Sequence, residues 1–209
     1  MYKIKKEDLT ALFRAIAAEQ ELYVPVKTAG KVNFGPWSED AEVDIDTLKS
    51  VKSPKDVFFP QSENLYTCER EGRKLKVEPE ALKEQRFTVF GMRACDVQGV
   101  KVLDQVFLAD PVDSFYAARR EHGTMVAIAC HEPEESCFCK VFGIDCAEPA
   151  ADVAAWFAGE ELYWKALTEK GQTLTEILSG LLTDADTEDE KKLSEEQTAI
   201  RAIVEKLPY

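Results

Sequence analysis

The chain is predicted to adopt an α/β fold: a mixed, partly parallel sheet with flanking helices and an N-terminal β-rich portion. Three observations predict it. Residues 87–91 (Phe-Thr-Val-Phe-Gly) and 125–129 (Met-Val-Ala-Ile-Ala) are continuous apolar, β-prone runs, the pattern of strands buried on both faces. Two helix-period segments lie between them, so the order strand, helix, helix, strand calls for a crossover and parallel pairing. Before residue 80, short strand-like runs alternate with turn signals.

The elements follow in order. Asp8 precedes Leu9, Leu12, Phe13 and Ile16, one helical face behind an N-cap. Tyr23-Val-Pro-Val reads as a short strand, and its proline predicts a sheet edge. Lys31-Val-Asn-Phe is a second run, ended by the turn signal Gly35-Pro36. Residues 46–60 read as a loop with one helical turn. Residues 65–70 and 74–77 flank Glu71-Gly72 and predict a hairpin. Pro79 at a helix start, followed by Glu80-Ala-Leu-Lys-Glu-Gln, predicts a short helix. Asp96 is the expected N-cap of a helix burying Val97, Val100, Leu103 and Phe107. Asp113 caps a second helix through Arg120, stopped by Gly123. His122 falls at that helix's C-terminus, where a cation is favoured. Leu162-Tyr-Trp-Lys-Ala-Leu predicts a further strand, followed by a helix over 173–182. The acidic residues of 184–190 read as a solvated linker or a helix start. A last helix carries Ile200, Ile203, Val204 and Leu207 on one face. The expected division is a domain over 1–183, with an acidic linker and amphipathic helix over 184–209.

Composition narrows the function. Lys and Arg total 26 against 39 Asp and Glu, a formal net charge of −13. A phosphate backbone or an anionic membrane face would be repelled, and no basic stripe with interleaved aromatics offsets this. No apolar stretch approaches the ~20 residues that span a bilayer. The start, Met1-Tyr-Lys-Ile-Lys-Lys-Glu-Asp, lacks the apolar core of a signal peptide. The expected location is the cytoplasm, and in a reducing compartment six cysteines point to metal or redox chemistry before disulfides. No G-x-G-x-x-G or Walker pattern supports a self-contained nucleotide site, and no hydrolytic Ser/His/Asp or Cys/His motif stands out.

Cys130-His-Glu-Pro-Glu-Glu-Ser-Cys137-Phe-Cys139 follows directly on the second buried strand, and Cys95 follows the first. Parallel pairing would bring both loops to the carboxyl edge of one sheet, where ligands are commonly gathered. Four thiolates suit an all-cysteine zinc site or an iron–sulfur cluster. A helix start at Cys95 favours the thiolate and any anionic cluster, and Arg93 and Lys140 could offset further negative charge. Paired zinc ligands usually sit in C-x2–4-C knuckles, whereas here C-x-C joins C-x6-C and a remote cysteine. Cys146 is a reserve ligand, and His131 could replace a thiolate as histidine does in some two-iron clusters. Cys68 reads as a small buried residue of the hairpin.

The motifs Gly-Met-Arg-Ala-Cys-Asp-Val-Gln-Gly-Val-Lys-Val-Leu-Asp-Gln-Val-Phe (91–107), Tyr116-Ala-Ala-Arg-Arg, Val126-Ala-Ile-Ala-Cys and Cys137-Phe-Cys, with the earlier Val57-Phe-Phe-Pro-Gln-Ser-Glu, resemble the iron–sulfur β subunits of cytoplasmic hydrogenase/sulfur reductases. They resemble equally the corresponding iron–sulfur subunit of anaerobic sulfite reductases. The likeness runs from about residue 54 to 168, in motif order and spacing. It implies an electron-transfer subunit of a multi-subunit oxidoreductase, itself non-catalytic, with one cluster of the [4Fe–4S] type on Cys95, Cys130, Cys137 and Cys139. It also implies a flavoprotein partner that carries FAD and oxidises NAD(P)H, and a ferredoxin-like module with further clusters. The chain departs from the family twice. No ferredoxin C-x2-C-x2-C run is present, so the chain is expected to be the front part of a longer subunit. The segment after Cys139 reads Lys-Val-Phe-Gly-Ile-Asp-Cys in place of a Gly-rich stretch. A zinc-stabilised module and a cluster-free docking scaffold are the alternative readings.

Overall fold

A computed structural model describes residues 1–208; Tyr209, the last residue of the predicted C-terminal segment, lies outside the described residues. The chain runs β1 (Tyr2–Lys5), α1 (Leu9–Glu19), β2 (Glu21–Thr28), β3 (Lys31–Pro36), α2 (Lys55–Phe58), β4 (Tyr66–Glu71), β5 (Lys74–Pro79), β6 (Phe87–Met92), α3 (Ala94–Phe107), α4 (Ser114–His122), β7 (Gly123–Ile128), β8 (Val153–Ala158), β9 (Glu161–Ala166), α5 (Glu169–Ile177), β10 (Thr183–Asp184) and α6 (Thr187–Val204). Eight strands form one mixed sheet in the order β10-β1-β9-β8-β7-β6-β2-β3, and β4 and β5 form a separate hairpin. The four central strands β2, β6, β7 and β8 are parallel, and antiparallel strands extend both sides. This is the predicted α/β class with its mixed sheet.

The central strands are buried along their whole length because both faces are covered. Successive side chains point to opposite faces. Phe90, Val126 and Ile128 therefore meet Leu12, Phe13 and Ile16 of α1 and Leu174 of α5, while Phe87, Val89, Met125 and Ala127 meet Phe58, Val97, Val100 and Tyr116. Each fully buried side chain of this size contributes about 1.5–3 kcal/mol relative to exposure. On α6, Leu193 packs against Trp156 and Tyr163, and Ile200 reaches Ala94, Cys130 and Cys146.

Several local expectations give way to tertiary context. Pro25 sits in β2, one strand in from the edge, because β2 pairs with β6 only over residues 21–23. Beyond that point Pro25 lies against Gly91, whose φ of +98° is left-handed and whose missing Cβ would sit 3.1 Å from the proline ring. The register slips between Phe90 and Met92 at this glycine, and such a bulge bends the strand end towards the following loop. Pro79 ends β5 opposite Tyr66 instead of starting a helix, because the next backbone N–H, that of Glu80, is drawn across to the Leu65 carbonyl. The helix assigned to an Asp96 cap starts two residues earlier: Arg93 is its N-cap, and Asp96, at N3, accepts the Arg93 backbone N–H at 3.1 Å. Asp113 caps α4 as expected, accepting from the Tyr116 N–H. The helix expected over 173–182 begins earlier, behind the cap residue Thr168. The acidic run opens α6, where Asp186 is the N-cap and Asp189 completes the capping box; negative charge there complements the helix dipole.

Candidate functional site

Cys95 is the second residue of α3, directly beyond the carboxyl end of β6, and Cys130 lies two residues beyond the end of β7. Parallel pairing puts Met92 opposite Ala127, so both cysteines leave the same edge of the sheet. Cys137 and Cys139 follow on the loop, and Cys139 opens a 3-10 turn, Cys139–Phe142. Cys146 comes back from that loop, and its carbonyl accepts the Cys130 backbone N–H at 3.0 Å. It is fixed from two further sides: the Trp156 indole donates to the Ala147 carbonyl at 2.6 Å, and Arg201 of α6 grips Asp145 at 2.7 Å.

The thiols form two hydrogen-bonded pairs. The Cys95 thiol donates to Cys139, which, together with burial, raises Cys95 and lowers Cys139 relative to an ordinary thiol. The Cys130 thiol donates to Cys146 with the same pair of effects, and the nearby Arg93 guanidinium partly opposes the rise at Cys130. The pairs also feel one another electrostatically: Cys95 acts on Cys130 and Cys146, and Cys137 and Cys146 act on Cys139. Five cysteines thus gather where four were selected, and Cys146 stands beside Cys130. Among the described residues no three His, Cys, Asp or Glu side chains converge as the shell of a single metal ion. Cys68 lies elsewhere, on the separate hairpin, and is exposed; the expected burial fails because nothing covers that hairpin. His131 is exposed beside Cys130, and His122 bonds the Ala118 carbonyl at 2.8 Å within α4.

Two cations serve the thiol group directly. Arg93 is buried, and its guanidinium donates to the carbonyls of Ile45 (3.0 Å), Thr47 (3.1 Å) and Ala129 (3.4 Å). Lys49 donates to Glu134 and Ser136, and feels the charges of Cys95 and Cys137. Sequence reading missed Lys49, since a lysine some eighty residues upstream of the loop carries no local signal. Lys140 turns outward to Glu205 at 2.9 Å. A polar cleft of about 300 Å³ lies at the opposite, amino-terminal edge of the parallel strands, lined by Arg86, His122 and Lys170 among others; Lys170 is already committed there to the Arg120 and Gly123 carbonyls.

No helix among the described residues is long and apolar enough to cross a membrane. No protein-family model matches the chain, and no solved structure matches it. The sequence is similar to the sulfhydrogenase 2 subunit beta of Pyrococcus furiosus, with 28% identity over 151 residues. That alignment covers 72% of this chain and 43% of the relative, so the chain spans less than half of that protein's length.

Proposed function

We propose that the chain is an electron-transfer iron–sulfur domain or subunit of a multi-subunit oxidoreductase. One observation carries this reading: five thiols from three separated segments meet at the carboxyl edge of the parallel strands, with a buried arginine beside them. The donor set is all sulfur and exceeds what one ion needs, and its members are spread as pairs instead of closing on one point. That suits a multi-iron cluster better than a lone zinc. The likeness to a sulfhydrogenase β subunit supports the same class of complex.

Cys95, Cys130, Cys137 and Cys139 would hold the cluster, of the four-iron type, with Cys146 competing for the fourth position. When bound, such a cluster accepts and releases single electrons. The chain's own residues supply the setting. The first turn of α3 presents its positive end to the Cys95 thiolate. Arg93 brings a fixed positive charge that favours thiolate over thiol at Cys130. Ala94, Ala147 and Ile200 pack around Cys130 and Cys146 and exclude water from one side, while Cys95 and Cys139 stay partly open. The partners proposed are a flavoprotein subunit that oxidises NAD(P)H with FAD, and a ferredoxin-like iron–sulfur module, since the chain has no nucleotide motif of its own.

Anaerobic purification followed by iron, sulfide and zinc analysis tests the reading. Iron and sulfide in equal amounts, with visible absorption bleached by dithionite, are expected. Stoichiometric zinc in a colourless protein, or neither metal, refutes it. Cys95→Ala should abolish or convert the cluster. Comparing Cys137→Ala with Cys146→Ala identifies the fourth ligand, because only the true ligand's loss changes the reduced EPR spectrum.

A further inference from the structure

The loop that carries Cys137 and Cys139 also carries an uncovered apolar patch. Phe138, Val141 and Phe142 are 55%, 62% and 66% exposed, and the rings of Phe138 and Phe142 lie 5.7 Å apart. They occupy the positions beside and between the cysteines, on the 3-10 turn and the residue before it. A mostly apolar groove of about 310 Å³ adjoins that turn against the end of α6, lined by Gly143, Ile144, Cys146 and Val204 among others. Large apolar side chains held outward around a reactive centre mark an interaction site more than a chance of folding.

The charge around this patch is one-sided. Its cations are already paired: Lys49 with Glu134, Lys140 with Glu205, and Arg201 with Asp145 and Glu148. Glu132 and Glu135 on the same loop are exposed and form no salt bridge among the described residues. The rim is therefore net acidic, in a chain of net charge −13.

We propose that this face docks a redox partner protein whose own centre lies under an apolar patch ringed by basic side chains; the proposal rests on the electron-transfer reading above. An apolar centre with a charged rim is the anatomy of a specific interface, and small, transient interfaces are typical of redox encounters. The rim steers a cationic partner from a distance. Contact at Phe138 and Phe142 then places that partner's centre against the thiol loop. One electron leaves the reduced cluster and one oxidised partner centre is reduced by it.

The test uses the full chain and a cationic cytochrome c with an exposed haem edge as the probe. Stopped-flow transfer, in which one electron converts ferric to ferrous haem, is measured at low and at physiological salt, and calorimetry gives the Kd. Transfer should slow as salt rises, and an acidic flavodoxin should accept electrons more slowly. The double variant Phe138→Ser/Phe142→Ser should weaken binding about tenfold or more, the loss of about 1.4 kcal/mol or more expected of central apolar contacts. Glu132→Lys/Glu135→Lys should slow transfer several-fold at low salt and flatten the salt dependence. Iron content and the reduced EPR spectrum are recorded for each variant. An unchanged Kd in the Phe138/Phe142 variant overturns the proposal, whatever its iron content. Equal rates to the cationic and the acidic acceptor overturn the charge argument. Failure of the parent chain to hold a reducible cluster, with cytochrome binding intact and sensitive to both variants, overturns the electron-transfer reading and leaves the docking surface standing.

Discussion

Replacing Arg93 with methionine should destabilise the protein by about 3 kcal/mol. The guanidinium is buried and donates to three carbonyls, two of them at 3.0 and 3.1 Å and the third at 3.4 Å. A hydrogen bond from a charged donor is worth about 1.5–3 kcal/mol, and leaving a buried carbonyl unpaired costs about 1–3 kcal/mol. Against this, methionine removes the cost of burying a charge and fills much of the same volume. Two good bonds and a weak third, less that relief, give about 3 kcal/mol. In a chain of this length such a loss corresponds to about 6–12 °C in Tm. Lysine keeps the charge but lacks the fork that reaches three acceptors at once, so Arg93→Lys should fall between the two. Urea unfolding followed by the fluorescence of Trp37, Trp156 and Trp164 measures the loss. Hydrogen exchange measures the second consequence: Ile45 and Thr47 are tied to the sheet edge only through this side chain's bonds to their carbonyls, so the 45–48 segment should lose protection first. A loss below about 1 kcal/mol in Arg93→Met, or unchanged exchange in that segment, would refute the reasoning.

Asp189 accepts from Lys3 at 2.6 Å and from the Tyr163 hydroxyl at 2.8 Å, and Lys3 above all holds its carboxyl down to about 2. The folded value lies below the unfolded one, so this stabilisation is complete above the ordinary carboxylate range and is lost as pH falls towards 2; Asp189→Asn should cost about 1 kcal/mol at neutral pH, discounted for its nearness to solvent, and should flatten the acid limb of a stability-versus-pH curve. Gly171→Ala should destabilise by more than about 2 kcal/mol, as overpacking against backbone does, because the added Cβ would lie 2.1 Å from the Asp152 carbonyl oxygen; thermal melting checks it, and a Tm within error of the parent would contradict the tight approach. Cys68→Ala should leave both the unfolding midpoint and any iron content unchanged, since the hairpin is exposed and remote from the other thiols; loss of iron in that variant would mean that the hairpin folds back onto the site.

The central architecture and most of the site were legible because their signals are local. Strands buried on both faces read as uninterrupted apolar runs, and the two helical segments between β6 and β7 required a crossover, hence parallel pairing. That alone put Cys95 and Cys130 at one sheet edge. Strand β8 was not read from the sequence, because Val-Ala-Ala-Trp-Phe-Ala carries little β-branching and no alternation. Yet β8 closes the parallel set beside β7 and anchors the segment that returns Cys146 to Cys130.

The sequence by itself determined which residues could carry thiol chemistry, which strands are buried, and where two helices are capped, since side-chain type, period and capping act within a few residues. The tertiary structure alone decided the partners. It placed Pro25 one strand inside the edge, because the β2–β6 pairing stops before it. It aimed Arg93 at carbonyls nearly fifty residues upstream, brought Lys49 to the cysteine loop and set Cys146 against Cys130. Each of these depends on which strands neighbour which and in what register. Those are choices made by burying both faces of the sheet at once, and no window of local sequence encodes them.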